Sequence, residues 1–366
     1  MRIIESGIVY ANPKPHLRSQ HAFHPTIVDL GGGEILCGHD LGEAIEALDY
    51  RTYRSRSLDG GRTWEFEGPI ITRPTDRPTT STVRINKVST GLIAFGSRCY
   101  RDDPEEGVVN RANLGYAPME LITVRSADGG RTWGDPEVVE PPLEGPGFEA
   151  CHNIIQLPSG RWLAPTSTWR GWDGSLPNGE KGLVLISDDQ GKTWPRYGVS
   201  FDGTKEGVIH WEQSVFSLGG DDVISLAWVY HPESGTHKPN RYALSHDGGA
   251  TFGPSGEIGV QGQTCKGCRL ADGRVLLAYR RCDQPGLWAT MATLGGEGWD
   301  LIGHLPIWGA GISDSGMTGA GNQSDELSGL KFGFPQMVQL QDGNVMLVFW
   351  CFEDWCTRIR WARLEV

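Results

Sequence analysis

One eight-residue phrase constrains this chain more than any other feature, because it recurs. Ser57-Leu58-Asp59-Gly60-Gly61-Arg62-Thr63-Trp64 returns as Ser126-Ala127-Asp128-Gly129-Gly130-Arg131-Thr132-Trp133, then as Ser187-Asp188-Asp189-Gln190-Gly191-Lys192-Thr193-Trp194. A fourth copy, Ser245-His246-Asp247-Gly248-Gly249-Ala250-Thr251-Phe252, ends in Phe. The serines stand 69, 61 and 58 residues apart, and a phrase repeated at such a pitch marks a repeat architecture. Locally it reads as a self-locking hairpin turn. Gly supplies the positive φ, the Asp and Ser/Thr oxygens accept from the turn's own N–H groups, and the closing aromatic packs beneath. The boxes are therefore scaffold rather than chemistry.

Between the boxes runs a second repeat, in which two apolar stretches flank a Gly-containing turn. Its copies are Ile27–Leu30 with Glu34–Cys37, Val83–Ile85 with Leu92–Phe95, and Ile154–Leu157 with Arg161–Ala164. Val215–Leu218 with Val223–Leu226, Cys268–Leu270 with Val275–Ala278, and Met337–Leu340 with Val345–Val348 complete the set. Each reads as two strands joined by a tight turn. Four hairpins lead into an intact box, the fifth into Thr293–Trp299, which lacks the Asp, and the sixth into the end of the sequence. Four-stranded units that cannot bury their own faces must stack, and the expected fold is an all-β, six-bladed propeller forming one domain over residues 1–366. Ile3–Tyr10 and Arg358–Leu364 are further strand candidates, so the N-terminal strand is expected to complete the last blade and remove both free edges.

Composition narrows the partners. The formal net charge of −12 disfavours nucleic acid and anionic membranes. No run of 18 apolar residues occurs and no apolar segment follows the first residues, so a cytoplasmic protein without a signal peptide is expected. The eight cysteines, mostly in apolar strand-like runs, read as reduced thiols. Cys265-Lys-Gly-Cys268 is a lone pair without a second one at zinc spacing. No metal and no cofactor are expected. The Gly- and Ser-rich stretch 309–329 has no phosphate-loop ending and reads as a flap over one face.

The four boxes and six hairpins, spanning nearly the whole chain, resemble the sialidase superfamily, the Asp-box or BNR-repeat propellers. The resemblance implies a site at the central ends of the innermost strands. In that family a Phe/Tyr-Arg-Ile-Pro motif opens the first inner strand. Here Phe23-His24-Pro25-Thr26 stands in its place, so His24 replaces the arginine. The neighbourhood of the family's nucleophilic Tyr reads Phe332-Gly333-Phe334-Pro335, without Tyr. Glu212, in His210-Trp211-Glu212-Gln213, matches the glutamate that polarises that Tyr, and Asp49 and Asp40 are candidates for the general acid. Arg280 or Arg281 could supply a cationic clamp. Since His is no substitute for a guanidinium fork at neutral pH, a sugar other than N-acetylneuraminic acid is expected.

By pattern, the first strands send His24, Thr82 or Arg84, Glu149 with His152, Glu212, Gln263 and Gln336 toward the centre. Trp211, Trp169, Trp172 and Tyr230 or His231 are candidates for the rim. Carboxylates, imidazoles and aromatic platforms suit a sugar ring. The expected activity is exo-glycoside hydrolysis with Glu212 paired to Asp49 or Glu149. The expected substrate contacts are Asp40, Arg84, His152, Trp211, Gln263 and Arg280. A uronate lyase using His24, His152 and Arg280, or a glycan-binding propeller without catalysis, would use the same residue types. Glu353 and Asp354 read as solvated.

Overall fold

A computed structural model describes residues 1–73, 75–150, 152–296, 298–310 and 329–366, and the elements among them are β-strands. The flap expected over 309–329 falls mainly outside the described residues, as does Cys151.

The N-terminal strand β1 (Arg2–Tyr10) is followed by repeating four-stranded units. The first holds β2 (His21–Gly31), β3 (Glu34–Gly42), β4 (Arg51–Ser57) and β5 (Glu65–Pro69). The second holds β6 (Thr79–Val88), β7 (Gly91–Tyr100), β8 (Met119–Ser126) and β9 (Glu137–Val139). In the third the opening strand is split into β10 (Gly147–Glu149) and β11 (Ile155–Gln156), ahead of β12 (Trp162–Trp169), β13 (Lys181–Ser187) and β14 (Arg196–Asp202). Next come β15 (Ile209–Gly219), β16 (Asp222–His231), β17 (Thr236–Ser245) and β18 (Gly256–Glu257). The fifth unit is β19 (Gly262–Arg269), β20 (Val275–Arg281), β21 (Leu287–Gly295) and β22 (Gly298–Trp308). The last is β23 (Phe332–Gln339), β24 (Val345–Glu353) and β25 (Cys356–Glu365), on whose outer edge β1 pairs antiparallel, Gly7 opposite Trp361. The first two units are linked by a single parallel pair, Arg51 with Ser81.

The middle strands read as unbroken apolar runs because both faces of each unit are buried. Along β24, Val345, Leu347, Phe349 and Cys351 enter a core shared with the fifth unit, while Met346, Val348 and Trp350 enter one shared with the first. Similar cores lie between the first and second units around Leu36 and Ile85, and between the second and third around Phe95 and Trp162. Leu163 and Val215 join the third to the fourth, and Leu226 and Leu277 the fourth to the fifth. The opening strands touch in the same order, and β23 returns to β2.

The boxes do more than turn the chain. In all four, the Thr N–H donates to an Asp oxygen at 2.9 Å (Thr63–Asp59, Thr132–Asp128, Thr193–Asp189, Thr251–Asp247). An arginine of the preceding unit then grips the box carbonyls: Arg56 reaches Gly129 at 3.0 Å, Arg125 reaches Gly191 at 2.9 Å, and Arg161 reaches Asp247 at 2.8 Å. The second box glycine is required by its backbone. Gly61 sits at φ 93°, where a side chain is strained, and a Cβ there would also press on the end of Met346 in the neighbouring unit.

These turns should carry an acid-labile share of stability. The Thr193 and Ser187 hydrogen bonds outweigh burial and pull Asp189 down to about 2, and Asp59 lies at about 2 for the same reasons, led by Thr63. Because these values are depressed, the contribution is complete above the unfolded carboxyl pKa of about 4 and is lost as pH falls through about 2. Asp189→Ala is expected to destabilise by about 1–2 kcal/mol in urea unfolding at pH 7, and the difference from wild type should shrink in acid.

Candidate active site

Four opening strands share a defect in register. Pairing skips between Phe23 and Thr26 in β2, Trp211 and Ser214 in β15, Gln263 and Lys266 in β19, and Gly333 and Gln336 in β23. Inside each skip lies a non-glycine residue in the left-handed region: His24 at φ 45°, Glu212 at 49°, Thr264 at 50° and Phe334 at 48°. These are β-bulges, which re-aim a side chain at the expense of local strain. Pro25 and Pro335 fit directly after two of them, since a bulged residue has no ladder N–H to lose. All four residues line one cavity of about 250 Å³. The second unit keeps its register there, and the third breaks its opening strand instead.

One wall of this cavity is aromatic. Trp169, Trp211 and Trp228 pack together with Tyr116 beside them, and Trp211 stacks on Tyr230 at 5.3 Å. The facing groups are polar. Glu212 accepts from Trp228 Nε1 at 2.8 Å, and its backbone N–H donates to Glu149 Oε2 at 3.0 Å. Phe334 lies edge-on to the His24 ring at 4.9 Å, with Arg84 and Lys266 over its faces at 5.2 and 4.8 Å.

Beneath His24 lies a buried network. Asp40, fully inaccessible, accepts from Thr52 Oγ1 at 2.5 Å, from Tyr50 at 3.4 Å and from Arg84 Nη1 at 2.9 Å. Its carboxylate is also 3.4 Å from His24 Nδ1, which stands 2.7 Å from the Tyr50 hydroxyl. Burial alone would protonate Asp40, but Arg84, His24 and Thr52 together hold its pKa below the ordinary value. Burial lowers that of His24 against the pull of Asp40, and burial with Asp40 lifts Tyr50 well above the ordinary phenol. Glu46, also on the cavity wall, is raised by burial although the Val109 and Val108 N–H groups oppose it.

The cavity thus gathers His24, Arg84, Glu149, Trp211, Glu212 and Arg280 of the expected site residues. Asp40 supports them from behind. Asp49 is elsewhere: it is exposed, and its carboxylate caps the Glu43 N–H at 3.0 Å. Adjacent residues here point opposite ways, so Tyr50 takes the inward place. His152 is turned into the fold between Asn153 O (3.1 Å) and Ser214 Oγ (3.2 Å), and burial followed by Lys266 drives its pKa to about 3. Gln263 is fully buried and holds Arg280 Nε at 2.7 Å, so it positions the cavity wall without forming it. Arg281 turns outward to Asp283 and His231 bonds Ser234. Tyr50, Glu46 and Thr264 were missed by pattern reading. A Tyr or Glu in a polar loop carries no periodic signal, and a bulge has none in a single sequence. Among the described residues no cluster of three or more His, Cys, Asp or Glu could hold a metal ion.

Repeats, cores and a central cavity define a sialidase-type β-propeller fold. The chain belongs to the BNR repeat-like domain family, whose pattern matches residues 106–347. It is similar to a protein of unknown function from Dyadobacter fermentans, with TM-score 0.73, 23% identity, and 100% of this chain and 99% of that one covered. It is also similar to the intramolecular trans-sialidase of Ruminococcus gnavus, with TM-score 0.66, 13% identity and coverage of 100% and 98%. The NanB sialidase of Streptococcus pneumoniae follows at TM-score 0.65, 13% identity and coverage of 98% and 70%. No curated protein matches the chain by sequence.

The strain at the bulges is measurable. Thr264→Gly should be more stable than Thr264→Ala by about 1 kcal/mol in thermal unfolding, because only glycine is at ease at that φ.

Proposed function

We propose that this chain is a single-domain, six-bladed propeller that hydrolyses a glycoside, with a sugar other than N-acetylneuraminic acid bound in the central cavity. The observation that carries this reading is the pairing of a tryptophan wall with carboxyl groups, Glu212 and Glu46 among them, in one cavity of about 250 Å³. Aromatic faces stack on the C–H face of a pyranose, and two carboxyl groups in unlike environments divide the roles of acid and charge stabiliser. Glu46, raised by burial, is the proton donor to the leaving oxygen. Glu212, steadied by Trp228, faces the cation that develops at the anomeric carbon.

β-Elimination is a second reading, because Arg84 and Arg280 both line the well and a uronate carboxylate needs a cation beside it. A panel of para-nitrophenyl glycosides and of uronate oligosaccharides separates the two. Hydrolysis releases the phenol, whereas elimination gives an unsaturated, ultraviolet-absorbing sugar. For the glycoside turned over, Glu212→Gln is expected to lower kcat/KM by roughly 10²–10³-fold with the fold intact. Activity should fall as pH rises through the pKa of Glu46, since the donor works only when protonated. Unchanged turnover in the Glu212 variant would remove this assignment, and saturable binding without any product would leave a glycan-binding propeller.

A further inference from the structure

We propose that His24 is the general base of this site, that its Nε2 takes a proton from the attacking water, and that the hydrolysis consequently inverts the anomeric centre. This rests on the hydrolase reading above. The first observation is the surroundings of Nδ1: the Tyr50 hydroxyl lies 2.7 Å from it and Asp40 Oδ2 3.4 Å, and the same hydroxyl is 3.4 Å from Asp40 Oδ2. With Tyr50 donating to the carboxylate, this geometry assigns the proton of the neutral ring to Nδ1 and the lone pair to Nε2. A ring whose Nδ1–H is held toward a buried carboxylate is the arrangement that makes the other nitrogen a base and stabilises the cation after it accepts.

The second observation is access. The His24 side chain is 24% exposed and lines the cavity, and Nε2 has no hydrogen-bond partner among the described residues. The third is the backbone: His24 is held at φ 45°, a left-handed conformation that strains a non-glycine residue and persists only where the surroundings enforce it. Phe334 closes the far edge of the ring at 4.9 Å, so there is no aromatic hydroxyl on that side to act as a nucleophile.

The step balances. The water O–H bond breaks and its proton goes to Nε2 while the oxygen bonds to the anomeric carbon. The glycosidic C–O bond breaks with its electron pair on the leaving oxygen, which takes the Glu46 proton. The imidazolium then returns its proton to the Glu46 carboxylate through solvent. The charged and titratable groups around His24 are Asp40 on β3, Tyr50 ahead of β4, Arg84 on β6 and Glu212 on β15. Arg84 and burial keep the ring neutral, while the carboxylates favour its protonated form.

The test uses the whole protein and the para-nitrophenyl pyranoside that it turns over. Proton NMR of the first-formed sugar should show the inverted anomer. His24→Asn keeps a side-chain donor toward Tyr50 and removes the base. It should lose kcat/KM by about 10²–10⁴-fold, lose the acid limb of the pH profile, and regain turnover with added azide as a glycosyl azide. Tyr50→Phe, a change in a positioning residue, should lower kcat about tenfold with KM unchanged, the equivalent of one hydrogen bond. A retained anomer, or an acid limb that survives in His24→Asn, overturns the assignment while leaving the hydrolase reading standing. Failure to turn over any glycoside removes both.

Discussion

The units of this fold share almost no backbone ladder, and everything else follows from that. Among the described residues, the backbone pairing between units is confined to the Arg51–Ser81 pair and the Tyr116–Gly171 bridge; the other ladders run within a unit and stop at its edge. Cohesion between units is left to side chains, so each unit must bury apolar residues on both faces. Alternation along β24 between two different cores is the direct consequence. Burial of this kind is strong but non-directional. Orientation comes from the boxes, whose carbonyls are gripped by Arg56, Arg125 and Arg161 from the unit before.

Units that meet mainly through side chains leave their opening strands crowded side by side with no ladder between them. Bulges resolve the crowding and produce the site at once. A bulge turns His24, Glu212, Thr264 and Phe334 out of the strict alternation that would have sent them into a core. The strain is affordable because the cores on either side are large. It is also local, so the four positions can vary in chemistry without disturbing the stack. This explains how a fold shared with sialidases at 13% identity can carry His and Phe at its centre.

Charge burial at the centre has its own logic. Asp40 is wholly inaccessible, a placement tolerated only with full pairing, and Arg84, Thr52, Tyr50 and His24 supply it. The arrangement fixes more than stability. It also holds Nδ1 of His24 against Tyr50 and Asp40, which turns the other imidazole nitrogen toward the cavity in the reading proposed above.

The sequence by itself determined the repeat, the strand order, the hairpins, the N-terminal strand beside β25, and the approach of His24, Arg84, Glu149, Trp211, Glu212 and Arg280 to one place. Turn chemistry and apolar alternation are local, and both are written in neighbouring residues. Only the tertiary structure showed that Asp49 faces outward while its neighbour Tyr50 lines the cavity, because one step along an irregular loop reverses a side chain and no periodicity governs that step. Only packing turned His152 inward to Ser214, placed Gln263 behind Arg280 and brought Glu46 to the cavity, since each depends on a side-chain contact with another strand or the next unit that no local pattern encodes. The four bulges belong to the same class: they answer to crowding where the opening strands meet, a condition that exists only once the units are packed side by side.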